Sequence, residues 1–212
     1  MKGDRMITEI ARFASATMSP LLMPFYGVFI ASWISPLCLE PIGVQMKLTL
    51  ITLGVTCVTP IMFIAILQNL NIIKDKRLDD PKERTLPYGF ALVCYLALAA
   101  YFAYIHQPMW MVMFAAGGAL TLLVTLLVNR VWKISAHAAG VAGVTTMLYQ
   151  IKAMNLEVIE PVWMVGILLF SIVCCGVVGS ARIVLGKHSL GQVVAGYLNG
   201  VVCVSLLMRL FG

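Results

Sequence analysis

The sequence predicts an all-α fold: a polytopic membrane bundle of about six to seven transmembrane helices, preceded by an N-terminal interfacial helix. Hydrophobic residues make up 61% of the 212 residues and charged residues only 11%, whereas soluble domains carry roughly 25% charged residues. The apolar residues also fall into runs that approach the ~20 residues needed to cross ~30 Å of hydrocarbon. We therefore expect one multi-pass domain, residues 1–212, in the cell membrane (plasma or inner).

The N-terminal segment, residues 1–13, has the pattern of an amphipathic helix that lies in the membrane interface. Its apolar and basic residues separate onto two faces: Met6, Ile7, Ile10 and Phe13 against Lys2, Arg5 and Arg12. The segment lacks the short apolar core and the small-residue cleavage site of a signal peptide, so we expect it to be retained.

Seven apolar runs are predicted to cross the membrane. They cover residues 16–39, 47–70, 88–105, 109–128, 137–153, 162–178 and 189–211. The first contains Pro20, Pro24 and Pro36, and we expect it to be kinked or broken because proline removes a helical hydrogen bond. The last contains Gly196 and Gly200, whose small-xxx-small spacing favours close packing against another helix.

Seven spans place three polar segments on one membrane face together with the N-terminus: residues 71–87, 129–137 and 179–188. Lysine and arginine are more frequent there than on the opposite face, so the positive-inside rule predicts that this face is cytoplasmic. We assign the net charge of +6 to orientation and to anionic lipid headgroups, not to nucleic acid. The six cysteines have the spacing of neither a zinc site nor a disulfide framework.

The third polar segment carries groups that can handle an anion. His188 and Gln192 are four residues apart and would share one face of a helix. Arg182 lies six residues before His188, across a segment broken by Gly186. A cation that can hold an anion is therefore close to an imidazole that an amide can orient.

The other two polar segments add candidate anion ligands. Ser135 has the position of an N-cap, with His137 in the first turn of its helix, and helix N-termini bind anions through free N–H groups. Arg84 lies close to the start of the third span. An arginine entering the membrane usually pairs with another group, and its guanidinium fork suits phosphate.

In this order the residues resemble the type 2 phosphatidic acid phosphatase superfamily, whose motifs are Lys-x6-Arg-Pro, Pro-Ser-Gly-His and Ser-Arg-x5-His-x3-Asp. Arg84 corresponds to the arginine of the first motif. Arg77 stands seven residues earlier, where the family has lysine, and Lys76 is adjacent. The proline of this motif is displaced to Pro87.

Ser135 and His137 correspond to the second motif, and Arg182 and His188 have the spacing of the third. In these two motifs four positions depart from the family pattern: Ile134, Ala136, Ala181 and Gln192 stand for proline, glycine, serine and aspartate. The ordered similarity extends over roughly residues 77–192.

The resemblance implies a metal-independent lipid phosphatase that needs no cofactor and works through a phosphohistidine. It makes His188 the nucleophile, His137 the proton donor and later the base, and Gln192 the group that orients the attacking imidazole. The phosphate ligands that it implies are Arg84, Arg182, Ser135, Arg77 and Lys76. An amide can fix the imidazole tautomer but adds no full charge, so we expect the chemistry to be retained at a lower rate.

Several functions and substrates stay open. Polyprenyl phosphate or diphosphate, phosphatidate, phosphatidylglycerol phosphate and a lipid A-type phosphate all fit, and the oligomeric state is open too. The main alternative is a catalytically degenerate member with a lipid-binding or partner role, which Ala136, Ala181 and Gln192 motivate. A magnesium-dependent prenyltransferase is another, because residues 71–80 loosely resemble its first aspartate motif; the sequence lacks the second. A transporter would be expected to show an internal repeat, and none is evident.

Overall fold

The computed structural model describes residues 2–73 and 84–211, and every regular element within these ranges is a helix. The helices are α1 (Lys2–Thr17), α2 (Met23–Ile34), α3 (Ile42–Leu53), α4 (Thr59–Asn69), α5 (Thr85–Tyr104), α6 (Met109–Val128), α7 (Ala136–Ala153), α8 (Pro161–Val184) and α9 (Leu190–Phe211). The predicted all-α fold is therefore confirmed.

Five helical stretches among the described residues are long and apolar enough to cross a membrane: Ile42–Asn69, Thr85–Tyr104, Met109–Val128, Pro161–Val184 and Leu190–Leu210. The chain is thus a multi-pass membrane protein. Helix α7 is less apolar, but α2, α6, α8 and α9 pack around it. Its buried residues join the main core of the bundle, among them Val144, Met147, Leu148 and Ile151.

Prolines affect the first two predicted spans in different ways. Helix α2 has Pro24 in its first turn and ends before a 3₁₀ turn that begins at Pro36, so the first span is broken as predicted. The second span stays continuous, because a π-helical turn (Gly54–Val58) joins α3 to α4. Pro60 follows this turn and has no N–H to give to the residue four positions earlier, which accounts for the locally widened helix.

The sixth span is longer than predicted. We expected it to end at residue 178, but α8 continues to Val184 and includes Arg182 in its last turn. Helix α8 ends where Gly186 adopts a left-handed φ of +63°. Gly186 N donates to the Ile183 carbonyl at 2.9 Å and Lys187 N donates to the Arg182 carbonyl at 3.1 Å. This is the hydrogen-bond pattern of a Schellman motif, for which glycine has the lowest steric cost.

Helices α7 and α9 approach each other closely through two glycines. A Cβ atom at Gly196 would collide with the Ser135 carbonyl, and one at Gly200 would collide with the Ala139 carbonyl. The packing role predicted for these glycines is confirmed. As a consequence, the start of α7 lies against the first turns of α9, and Ser135 N donates to the Gln192 carbonyl at 3.1 Å.

Helix α1 folds back along the last turns of α8. Ala11 and Ala14 are buried there together with Ala181. Other apolar side chains of α1 are exposed: Met6, Ile7, Ile10 and Phe13. An amphipathic N-terminal helix was predicted, and it extends four residues further than residue 13, to Thr17.

Candidate active site

Four of the predicted site residues surround one cavity of about 170 Å³. They are Arg84, His137, Arg182 and His188, and each belongs to a different part of the chain. Residues 19–21, which follow α1, and the first turns of α5 form further walls. We call this space the cationic cavity. It lies at the bundle end where α8 stops and where α5, α7 and α9 begin.

Arg84 directly precedes α5 and is only 5% exposed. Tyr88 lies one turn further along α5, lines the same cavity and feels the charges of both Arg84 and Arg182. Two guanidinium groups therefore face one small space. Two positive charges that face one cavity favour a bound anion, and the guanidinium fork suits phosphate oxygens.

Ser135 caps α7, as predicted. It is fully buried, and its Oγ accepts a hydrogen bond from Ala138 N at 3.3 Å. The part of α7 that lines the cavity is Ala136 and His137. The Ser135 hydroxyl thus stabilises the start of the helix that carries His137. Its role as a phosphate ligand stays a prediction.

His137 is held by an element that sequence patterns did not connect to it. Its Nε2 lies 3.2 Å from the backbone carbonyl oxygen of Ser15, in the last turns of α1. A carbonyl can only accept, so Nε2 carries a proton and Nδ1 of the neutral ring carries the lone pair. Arg182 contacts the same serine: its Nη1 donates to Ser15 Oγ at 2.8 Å.

His188 lies between the Schellman motif and α9 and is 6% exposed. Its Nδ1 is buried and has no hydrogen-bond partner within residues 2–73 and 84–211. Burial, and then the charges of Arg182, Lys133 and Arg84, lower the pKa of His188 to about 4. The imidazole is consequently neutral at pH 7, which is the form that can act as a nucleophile.

Gln192 has a contact that differs from the expected one. Ser189 N donates to Gln192 Oε1 at 3.1 Å, and Gln192 N donates to Ser189 Oγ at 3.4 Å. These reciprocal bonds form a capping box at the start of α9, and the Ser-x-x-Gln spacing was visible in the sequence. The amide is close enough to His188 to oppose the fall in its pKa, but its oxygen is directed to Ser189 and not to Nδ1 of His188.

Ser15 and Lys133 are the site residues that the sequence did not reveal. Ser15 is 122 residues from His137 and 167 residues from Arg182, and no local motif connects such distant positions. Lys133 acts on His188 through its charge. Arg77 and Lys76, the remaining predicted phosphate ligands, lie outside the described residues, as do the aspartates of the prenyltransferase-like segment.

Comparison with known proteins adds no assignment. No protein-family model matches the chain, and neither does any curated protein or solved structure. Within the described ranges, no three His, Cys, Asp or Glu side chains are grouped so that they could hold a metal ion. The geometry and charge of the cationic cavity are therefore the basis for a functional hypothesis.

Proposed function

We propose that this chain is a membrane phosphatase that hydrolyses a lipid phosphate through a phosphohistidine on His188. One observation carries the proposal: two arginines and two histidines, from four separate parts of the chain, face the same cavity. Arginine supplies fixed positive charge for phosphate oxygens, and a neutral imidazole supplies a nucleophile. The pairing of these groups suits phosphoryl transfer, where positioning and charge stabilisation provide most of the catalysis.

The reaction has two steps in this proposal. A lone pair of neutral His188 attacks phosphorus, a P–N bond forms, and the P–O bond to the leaving group breaks. His137 gives a proton to the leaving oxygen. Water then attacks phosphorus, His137 takes a proton from that water, and the P–N bond breaks to release inorganic phosphate. Arg84 and Arg182 hold the equatorial oxygens throughout.

The neighbourhood of His137 bears on its role. Its Nε2 is engaged by the Ser15 carbonyl, which leaves Nδ1 for proton transfer. Burial, and then the nearby charge of Arg182, disfavour a positive charge on the His137 ring before a phosphate binds. A phosphate dianion offsets that charge, so His137 takes up its proton together with the substrate.

An amphiphilic substrate fits the surroundings of the cationic cavity. A smaller apolar cavity of about 50 Å³ adjoins it, and the two share Pro20, Tyr95, Leu122 and Ala136 as lining residues. The apolar cavity continues among α2, α5, α6 and α7. We propose that the phosphate meets the arginines while the start of an acyl or polyprenyl chain enters this apolar space, in the plasma or inner membrane.

A second candidate is a lipid-phosphate-binding protein that does not turn over its ligand. Two observations favour it. Gln192 Oε1 accepts a hydrogen bond within the capping box, and Nδ1 of His188 lacks a partner among the described residues. An imidazole whose Nδ1 has no acceptor to orient it is a weaker nucleophile than one in a triad. The cationic cavity would then bind the phosphate group without cleaving it.

The test is phosphate release by the purified protein in detergent with EDTA, across a panel of lipid phosphates. Variant His188→Asn removes the nucleophile. Variant His106→Asn is the matched control, because His106 is exposed and follows α5 at the opposite end of the bundle. Release that is lost only in His188→Asn supports the phosphatase. Lipid phosphates that bind to folded wild-type protein without any release would favour the binding role, and release that requires magnesium would contradict the proposed chemistry.

A further inference from the structure

Ser15 is a buried polar residue in the last turns of α1. It is 7% exposed, although α1 carries strongly exposed side chains on its other face. Its backbone carbonyl accepts from His137 Nε2 at 3.2 Å, and its Oγ accepts from Arg182 Nη1 at 2.8 Å. One residue of α1 thus touches two members of the cationic cavity that come from α7 and α8.

The two contacts have different chemical consequences. The carbonyl fixes the proton of neutral His137 on Nε2, so only Nδ1 is available to receive a proton. The hydroxyl holds one nitrogen of the Arg182 guanidinium and so restricts its rotation. A guanidinium with a fixed plane binds phosphate oxygens with less loss of side-chain entropy than a mobile one.

The position of Ser15 depends on how α1 sits against α8. Ala11 and Ala14 of α1 pack against Ala181 of α8, with Leu185 beside them. Other apolar side chains of α1 are exposed: Ile7, Ile10 and Phe13 by 52%, 60% and 71%. Exposed apolar side chains on an amphipathic helix suit the boundary between headgroups and acyl chains. The position of α1 in that boundary therefore determines the position of Ser15 relative to His137 and Arg182.

We propose that Ser15 is a positioning residue: its carbonyl sets the tautomer of His137, its hydroxyl sets the orientation of Arg182, and α1 thereby joins the membrane interface to the active site. The phosphatase role of these partners rests on the proposed function. The two contacts themselves can be tested by methods that need no turnover.

Three variants separate the contacts. Ser15→Ala removes the hydroxyl and keeps the carbonyl, so it should affect Arg182 alone. Ser15→Thr restores a hydroxyl and should rescue that defect. Ala11→Leu widens the contact between α1 and α8 and should disturb both contacts. Ala16→Leu, the same change at an exposed position of α1, is its control.

The first measurement is ¹⁵N NMR of the imidazole rings in detergent micelles. Wild-type protein and Ser15→Ala should show His137 as the Nε2–H tautomer, and Ala11→Leu should show averaging between the two tautomers. A wild-type His137 that is protonated on Nδ1, or that averages between tautomers, would overturn the proposal. A second outcome would also overturn it. Spin-label distances would show that α1 has moved away from α8 in Ala11→Leu, yet the imidazole spectrum of this variant would equal that of the wild type.

The second measurement is the affinity for inorganic phosphate. Loss of a hydrogen bond to a charged group should weaken binding roughly tenfold in Ser15→Ala, with recovery in Ser15→Thr. If the enzyme is active, KM should rise more than kcat falls. Equal phosphate affinity in wild type and Ser15→Ala would refute the positioning role. Wild-type protein that binds phosphate with the expected tautomer but releases none from lipids would refute the phosphatase while leaving Ser15's role intact.

Discussion

The two histidines of the cationic cavity are held in opposite ways. His137 lies in the first turn of a capped helix, and the Ser15 carbonyl accepts from its Nε2. His188 lies in the short connection between α8 and α9, and its Nδ1 has no partner among the described residues. The His137 ring therefore has a fixed tautomer. The His188 ring is neutral at pH 7, because its pKa is lowered to about 4, and its Nδ1 is not hydrogen-bonded to a described residue. This difference suits a proton carrier and a nucleophile, respectively.

The largest expected effect separates these two roles directly. With 4-nitrophenyl phosphate, whose leaving group needs no proton, His137→Ala should still form the phosphohistidine but should hydrolyse it slowly. Turnover should fall by roughly 10²–10⁴-fold, the range for loss of a general base, and an acid-labile phosphoenzyme should accumulate. His188→Ala should form none. A phosphoenzyme of equal yield in His188→Ala would assign the nucleophile to another residue.

A smaller effect is expected from the helix contact that positions His137. Gly196→Ala places a Cβ against the Ser135 carbonyl, which should separate α7 from α9 and cost about 1–3 kcal/mol of stability, as overpacking does. Gly166→Ala in α8 is the control, because a Cβ there meets no neighbouring atom within 4 Å. Thermal unfolding in detergent and the rate of phosphohistidine hydrolysis, for which His137 is the proposed base, should both change only in Gly196→Ala. Equal melting temperatures for the two variants would show that the close contact does not constrain α7.

The two histidine environments also differ in how far sequence could predict them. The N-cap at Ser135 and the glycine contacts of α9 follow from local patterns, and the structure confirms both. The span of residues 109–128 was predicted with the bounds that α6 has. Local chemistry determines these features, so a single sequence is enough to find them.

Other features depend on distant parts of the chain. The residues of α8 beyond 178 include glycine, serine and arginine, a composition typical of a loop. The segment is nevertheless helical to Val184, and α1 packs against it. Ser15 gives no signal of its own because its partners are more than 100 residues away. Gln192 belongs to two sequence patterns: it lies four residues after His188, as in the third family motif, and three residues after Ser189, as in a capping box. Its hydrogen bonds with Ser189 are those of the capping box.

The smallest expected effect concerns the imidazole ring of His188. The groups that act on His188 come from every neighbouring element: Arg182 on α8, Lys133 before α7, Arg84 before α5, His137 on α7 and Gln192 on α9. Because the neutral ring is the nucleophile and its pKa is lowered to about 4, wild-type activity should persist on acidification until about pH 4. An ordinary histidine would lose it near 6.5.

Gln192→Glu should raise this acid limit from about 4 towards 6.5, because glutamate preserves the capping box and adds a negative charge beside the imidazolium. At pH 7 a ring with a pKa of up to 6.5 is still roughly three-quarters neutral, so protonation alone should change activity by less than about twofold. Any further gain at pH 7 would then measure how well a carboxylate orients His188. Gln107→Glu, after α5 at the far end of the bundle, adds the same charge and should leave the pH profile unchanged. If Gln192→Glu leaves the acid limit at about pH 4, the side chain at position 192 does not reach His188, and its function is confined to capping α9.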